Sequence, residues 1–213
     1  MSTIYAAALN FRDEYEALEP AMGAAPYLRP PVAPVLAIKP ANCRIGNGEP
    51  IPCPRDAIKL RAGGTLALVI GQTARRVRER DALQYLAGYT LAIDVSIPDL
   101  SYYRPTVKQR CRDGFCPVGP RVAAVSRFPD PDAIEIKISV NGILVCVAST
   151  STLRRGVARL LADVTEFMTL NPGDLLLVGE PLHSPLVGPG DTVYVEVAGI
   201  GVLENRVVAE FAR

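Results

Sequence analysis

Two apolar runs, TLALVIG (65–71) and YTLAIDVS (89–96), constrain the fold of this chain most strongly. The first is continuous and rich in β-formers, which fits a strand covered on both faces, since neither side of it tolerates water. The second reads as another strand and carries an acid, Asp94, near its C-terminal end. An isolated Asp at such a place serves either as a turn or cap acceptor or as a group turned toward a ligand.

Between the two runs, ARRVRERDALQYLAG reads as a charged helix, with Val77, Ala82, Leu83 and Leu86 as its apolar stripe and Gly88 as its C-cap. A second helix is predicted over 152–168, where Val157, Leu160, Leu161, Val164 and Met168 share a face and residues 150–152 offer N-caps. AIEIKISVNGILVCVAS alternates on both sides of Asn141-Gly142, a strong two-residue hairpin signal. Near the N-terminus, 4–9 is a candidate strand, 12–18 a short acidic helix, and VLAIKP (35–40) a short buried strand. NCRIGNGEPIPCP is turns between very short strands, and two Pro-Gly-Asp turns separate the closing strands. Residues 98–120 keep neither period and read as a long functional loop. The sum is a β-rich α+β chain with two main helices, and no linker divides 1–213 into more than a single domain.

The charge balance is +1, from 23 basic and 22 acidic residues, which leaves no electrostatic footprint for nucleic acid or anionic lipid. No apolar run reaches the roughly 20 residues that span a bilayer, and the start of the chain has no basic stretch of a secretory signal. At 49% hydrophobic, the apolar excess reads as the contact surface of an oligomer. Five cysteines without a CxxC, and a lone His183 in a Pro-rich exposed loop, give no zinc set. Cys111 and Cys116, spaced as CRDGFC, read as structural thiols rather than a redox pair. Reduced thiols place the chain in the cytoplasm.

The segment GYTLAIDVSIPDLSYYRPTVKQRCRDGFCPVGP (88–120), with IKP (38–40), GEPIP (48–52), VIG (69–71), NPGD (171–174) and GIGVLEN (199–205), resembles the fumarylacetoacetate hydrolase superfamily along nearly the whole chain. Within it, the likeness is to the isomerase/decarboxylases of 4-hydroxyphenylacetate (homoprotocatechuate) degradation. The resemblance implies the mixed β-sheet roll of the superfamily's C-terminal domain. It also implies a small-molecule 2-oxo or 2-hydroxy dicarboxylate as substrate, and a paralogous second subunit or a homo-oligomer as partner.

It further implies a divalent metal, Mg²⁺ or Mn²⁺, held by a Glu-x-Glu on the strand ending in VIG and by the Asp of the AIDVS segment. Hard oxygen ligands suit such an ion, which would polarise a 2-oxo acid as a Lewis acid. Carried onto this chain, Asp94 is the one retained ligand, and Gly63 and Thr65 occupy the two Glu positions. Glu49, Asp56 and Asp99 are the nearest other acids and stand outside the motif. The expectation is that this chain alone binds no cofactor and that Mg²⁺ or Mn²⁺ belongs to the partner subunit.

By the same resemblance Arg110 stands where the family has a Lys. Its fixed charge grips a carboxylate but does not release a proton near neutrality. It is either catalytic or a surface charge paired with Asp113. Tyr103, with Tyr102 and Arg104, falls on the family's lid segment: Tyr103 is a catalytic candidate, the other two substrate-binding ones. Lys108 flanks Arg110 as a further anion-attracting group, and Lys39 lies near the family's pocket mouth, with a solvated lysine as the default. Glu180 replaces a Thr and puts an acid at the pocket rim, against dianion binding. Three readings stay open: an enzyme subunit, a non-catalytic structural partner, and a metal-independent tautomerase using Arg110 and the lid tyrosines.

Overall fold

A computed structural model describes residues 2–98 and 106–210 of the chain. Tyr102, Tyr103, Arg104 and Asp99 lie outside the described residues. The elements in order are β1 (Ile4–Ala8), α1 (Arg12–Met22), β2 (Val35–Lys39), β3 (Arg44–Ile45), β4 (Ile51–Cys53), β5 (Leu60–Ile70), β6 (Leu86–Ser96), α2 (Val107–Arg110) and β7 (Cys116–Ala123). They continue with β8 (Glu135–Val140), β9 (Ile143–Ser149), α3 (Val157–Phe167), β10 (Leu175–Leu177), β11 (Leu186–Val187), β12 (Thr192–Val197) and β13 (Gly201–Ala209).

The strands form two sheets. One runs β2-β1-β10-β5-β6-β7-β3, with β11 also pairing with β5, and the other runs β4-β13-β12-β8-β9. Parallel and antiparallel pairs mix in both, so the architecture is the β-rich α+β fold expected. The two apolar runs are the central antiparallel pair β5–β6. One of their faces packs on the second sheet, where Leu66, Leu68, Leu91 and Ile93 join Ile136, Ile138, Val193 and Val195 in the main core. Burying each such side chain contributes about 1.5–3 kcal/mol. The other face is covered by a smaller cluster in which Ala67 and Ala92 meet Ile4, Ala6, Cys43 and Cys116.

The sheets press closely at Gly64, where a β-carbon would lie 2.7 Å from Ile138 Cγ1 and 2.8 Å from Val195 Cγ2. Only glycine fits there. Its neighbour Gly63 faces the opposite side, toward the candidate site.

The hairpin β8–β9 turns at Asn141-Gly142, both at positive φ. Elsewhere the structure departs from expectation. Residues 79–85 form a short 3₁₀ helix, not the longer amphipathic helix, and Gly88 lies inside β6 rather than at a C-cap. Arginines and acids crowd this stretch, and β6 claims its apolar end, Leu86, for the sheet. The second eleven-residue helix is therefore α1, which carries the acidic segment near the N-terminus. α3 starts at Val157, and its cap is not residues 150–152: Asp132 Oδ1 accepts from Val157 N at 2.7 Å, supplied from a distant turn. β2 is an outer strand, mostly half-exposed, and only its last residue, Lys39, is buried. The 98–120 stretch is less irregular than expected, since it contains α2 and most of β7.

Candidate active site

Four charged side chains converge on the small-residue face of the β5–β6 pair. Asp94 leaves β6 directly opposite Gly63 of β5, which gives it no side chain to lean on. Lys39 arrives from the end of β2, Arg110 from the end of α2, and Glu180 from the turn after β10. All are shielded: side-chain exposure is 0% for Lys39, 4% for Asp94 and Glu180, and 14% for Arg110.

Lys39 Nζ sits 2.7 Å from Asp94 Oδ1. It also donates to the carbonyls of Val95 at 2.9 Å, Phe115 at 2.8 Å and Arg110 at 3.2 Å. Those four oxygens tie β2 to β6, α2 and the start of β7 through one ammonium. The solvated lysine of the sequence reading is thus corrected: Lys39 is buried because β2 ends against this oxygen cage, which replaces its hydration.

Arg110 bridges the two acids. Its Nη1 donates to Asp94 Oδ2 and its Nη2 to Glu180 Oε1, each at 3.2 Å. The surface pairing with Asp113 does not form, because Asp113 accepts instead from Asn42 Nδ2 at 2.7 Å. Lys108 is also elsewhere. It is exposed and ion-paired to Asp56 at 3.1 Å, where Arg112 adds bonds of 2.8 and 3.0 Å. The structure therefore brings together Lys39, Asp94 and Arg110, and sets Lys108 apart from them.

The two acids have opposite electrostatics. Burial drives the Asp94 carboxyl up, but the adjacent Lys39 and Arg110 charges outweigh it and hold Asp94 below the ordinary carboxylate range. Burial and the nearby Asp94 charge push Glu180 up, and Arg110 and Arg61 offset this only in part. A proton entering the cluster therefore resides on Glu180. Its second oxygen, Oε2, is buried and has no hydrogen-bond partner among the described residues.

Sequence reasoning placed Glu180 at a pocket rim and missed its part in the cluster. The available signal was an acid closing the apolar run LLLVGEP (175–181), an expensive residue to bury unpaired. The thiols around the site fit the structural reading: burial raises Cys43 to about 11 and Cys116 to about 12, and all five cysteines are free.

These residues do not fit a divalent ion. Among the described residues no three His, Cys, Asp or Glu side chains gather closely enough to hold one. Gly63 and Thr65 offer no carboxylate, and both cluster acids already face cations. Glu49 is bonded to Gly46 N, and Asp56 to Lys108 and Arg112.

The fold and the ordering of its motifs define the class: the sequence model described as "Fumarylacetoacetate (FAA) hydrolase C-terminal" matches residues 3–208, and the chain belongs to this family. Among curated relatives, it is 47% identical over 208 residues to the 4-hydroxyphenylacetate degradation bifunctional isomerase/decarboxylase of Escherichia coli, a match that takes in 98% of this chain. The chain spans about half the length of that relative, 47% of it. Among solved structures it is similar to the 5-carboxymethyl-2-hydroxymuconate delta-isomerase of Mycobacterium smegmatis, with a TM-score of 0.82 and 33% identity over 99% of this chain and 80% of that one. It is also similar to a maleylpyruvate hydrolase from Sphingobium sp. SYK-6 in complex with manganese(II) and pyruvate, with a TM-score of 0.80 and 26% identity over 98% of this chain and 71% of that one. No helix among the described residues is long and apolar enough to cross a membrane.

Proposed function

We propose that this chain is one domain of an isomerase/decarboxylase of 4-hydroxyphenylacetate catabolism in the cytoplasm. In that reading it serves decarboxylation of 5-carboxymethyl-2-oxohex-3-enedioate and isomerisation of 2-hydroxyhepta-2,4-dienedioate. The observation that carries the reading is the 47% identity, across 98% of the chain, to a relative bearing that name. The site adds a chemical argument: Arg110 is a fixed cation that grips carboxylates, as a dicarboxylate substrate requires.

The domain works beside a second domain of the family, on its own chain or on the same one, and that partner carries the Mg²⁺ or Mn²⁺. Two observations support a partner. The chain matches only half of its relative. The edge strand β9 also exposes Ile143, Leu144, Val145 and Val147, with no charged residue along its length. Native edges of that kind are normally guarded by charge or proline, and apolar ones mark contacts.

A second reading is favoured by the burial of the cluster. Lys39, Asp94, Arg110 and Glu180 pair with one another and expose little, as a retained structural core would. The two readings are separated by assaying the chain, with its partner domain present, for both steps after Arg110→Ala. A rate loss of about 100-fold or more in either step supports catalysis by this site. Unchanged rates for both steps make the chain a structural partner.

A further inference from the structure

Two buried carboxylates that converge on one point need a cation between them, because neither is stable there with its charge uncompensated. A metal ion or a guanidinium meets that need. Here Asp94 Oδ2 and Glu180 Oε1 each lie 3.2 Å from one terminal nitrogen of Arg110. The second carboxylate does not come from β5, the strand paired with β6. It comes from the other side, from the turn after β10, and its carboxyl occupies the space that Gly63 leaves open. A β-carbon on Gly63 would lie 2.6 Å from Glu180 Cβ and 3.0 Å from Glu180 Cδ, so no longer side chain at 63 can coexist with this placement. Gly63 and Asp94 face each other in register, which puts the opening beside the acid that Arg110 binds.

We infer that the resident cation of this site is the guanidinium of Arg110, and that Glu180, admitted by Gly63, supplies the opposing carboxylate and closes the place to divalent metal. The three positions act as a unit. Glycine at 63 makes room, glutamate at 180 fills the room, and arginine at 110 neutralises the pair that results. Lys39 holds Asp94 from its other oxygen, so a metal would have to displace two protein cations to reach that acid. This inference concerns what the cluster binds and holds whether or not the chain catalyses the proposed reaction.

The test is Mn²⁺ uptake by the purified full chain, read by loss of the free-ion electron paramagnetic resonance signal and by the Mn²⁺-dependence of the melting temperature. The wild type is expected to take up no Mn²⁺ at millimolar concentration and to melt at the same temperature with EDTA. Arg110→Ala leaves two acids without their shared cation, and two carboxylates together with water hold such an ion weakly where a single one does not. This variant is expected to deplete the Mn²⁺ signal and to gain thermal stability with Mn²⁺. Arg110→Ala/Glu180→Gln is expected to do neither. Should the alanine variants not fold, Arg110→Gln alone and with Glu180→Gln carry the same comparison. Stoichiometric Mn²⁺ in the wild type overturns the inference, and so does an identical Mn²⁺ response, or none, in the single and double variants. None of these readouts depends on turnover, so the fate of the proposed activity is decided separately.

Discussion

The Glu180 side chain fills the space left by the missing side chain of Gly63, and the two residues approach so closely that a β-carbon on Gly63 would stand 2.6 Å from Glu180 Cβ. The contact is with the stem of the glutamate, not only with its mobile end. A rotamer change at the carboxyl does not relieve it. Residues 63 and 180 therefore constrain each other, and through Arg110 they constrain Asp94 as well.

Gly63→Ala is expected to cost about 1–3 kcal/mol of unfolding free energy, the usual range for overpacking a well-filled interior. In a Glu180→Gly background, the same change is expected to cost less than about 1 kcal/mol, since the clashing stem is gone. A double-mutant cycle by urea unfolding measures the difference. An equal cost of Gly63→Ala in both backgrounds would show that the two sites are independent.

Lys39→Met removes a charge that four oxygens surround. It takes the ammonium away from Asp94 Oδ1 and from the carbonyls of Val95, Arg110 and Phe115, of which Phe115 still accepts from Val95 N. Breaking a buried pair from one side costs about 3–5 kcal/mol. Lys108→Met, by contrast, removes an exposed partner of Asp56 and is expected to change stability by no more than about 0.5 kcal/mol. Equilibrium unfolding of both variants tests the contrast, and similar losses would mean that Lys39 is not the rivet the geometry shows.

Much of this fold is legible in the sequence, and the part that is not has a physical cause. TLALVIG and YTLAIDVS announce β5 and β6 because a strand buried on both faces leaves a continuous apolar run. Asn141-Gly142 announces its hairpin because few residue pairs accept two positive φ angles in succession. The 3₁₀ turn at 79–85 was hidden because its apolar spacing suits a helix locally, while the pairing of β6 with β5 decides where the strand begins. In the site, Asp94 and Arg110 were visible as motif positions. Lys39 and Glu180 could be named near the pocket but their burial could not be read, since Lys39 depends on acceptors 55 to 76 places away in the chain and Glu180 on a donor, Arg110, 70 places away. Tyr102, Tyr103 and Arg104 fall outside the described residues.

Glu180→Gln is expected to alter how stability depends on pH. Burial raises the folded-state pKa of Glu180, so its contribution is fully present below the ordinary glutamate value of 4.5 and is lost as pH rises through the folded value. Asp94, held low, acts oppositely and loses its contribution only in more acid solution. Among the described residues, the charged groups that face Glu180 are Asp94, Arg110 and Arg61. Glutamine keeps the shape and cannot ionise. The stability of the variant relative to wild type should therefore rise as pH climbs from 4.5 to the folded value of Glu180 and level off above it. Unfolding curves between pH 4 and 9 that stay parallel for the two proteins would rule this out.

The edge strand β9 is expected to be the contact through which this domain meets a second family domain. Ile143, Leu144, Val145 and Val147 are about half-exposed or more, and among the described residues no strand pairs with the outer edge of β9. Val147 lies opposite Lys137 of β8, so its side of the sheet turns polar one strand inward, and the apolar surface is confined to the rim. A rim of that shape suits edge-on addition of another strand better than face-on stacking of a sheet. Val145→Lys/Val147→Lys places two charges on this rim, where folding of the isolated domain does not need the valines, so far-UV circular dichroism and melting temperature should change little. Sedimentation with the partner domain present should show the wild-type complex and, for the double variant, a loss of association of about tenfold or more. Retained association in a folded variant would move the contact to another surface, and self-association of the wild type without any partner would make the occupant a second copy of this chain.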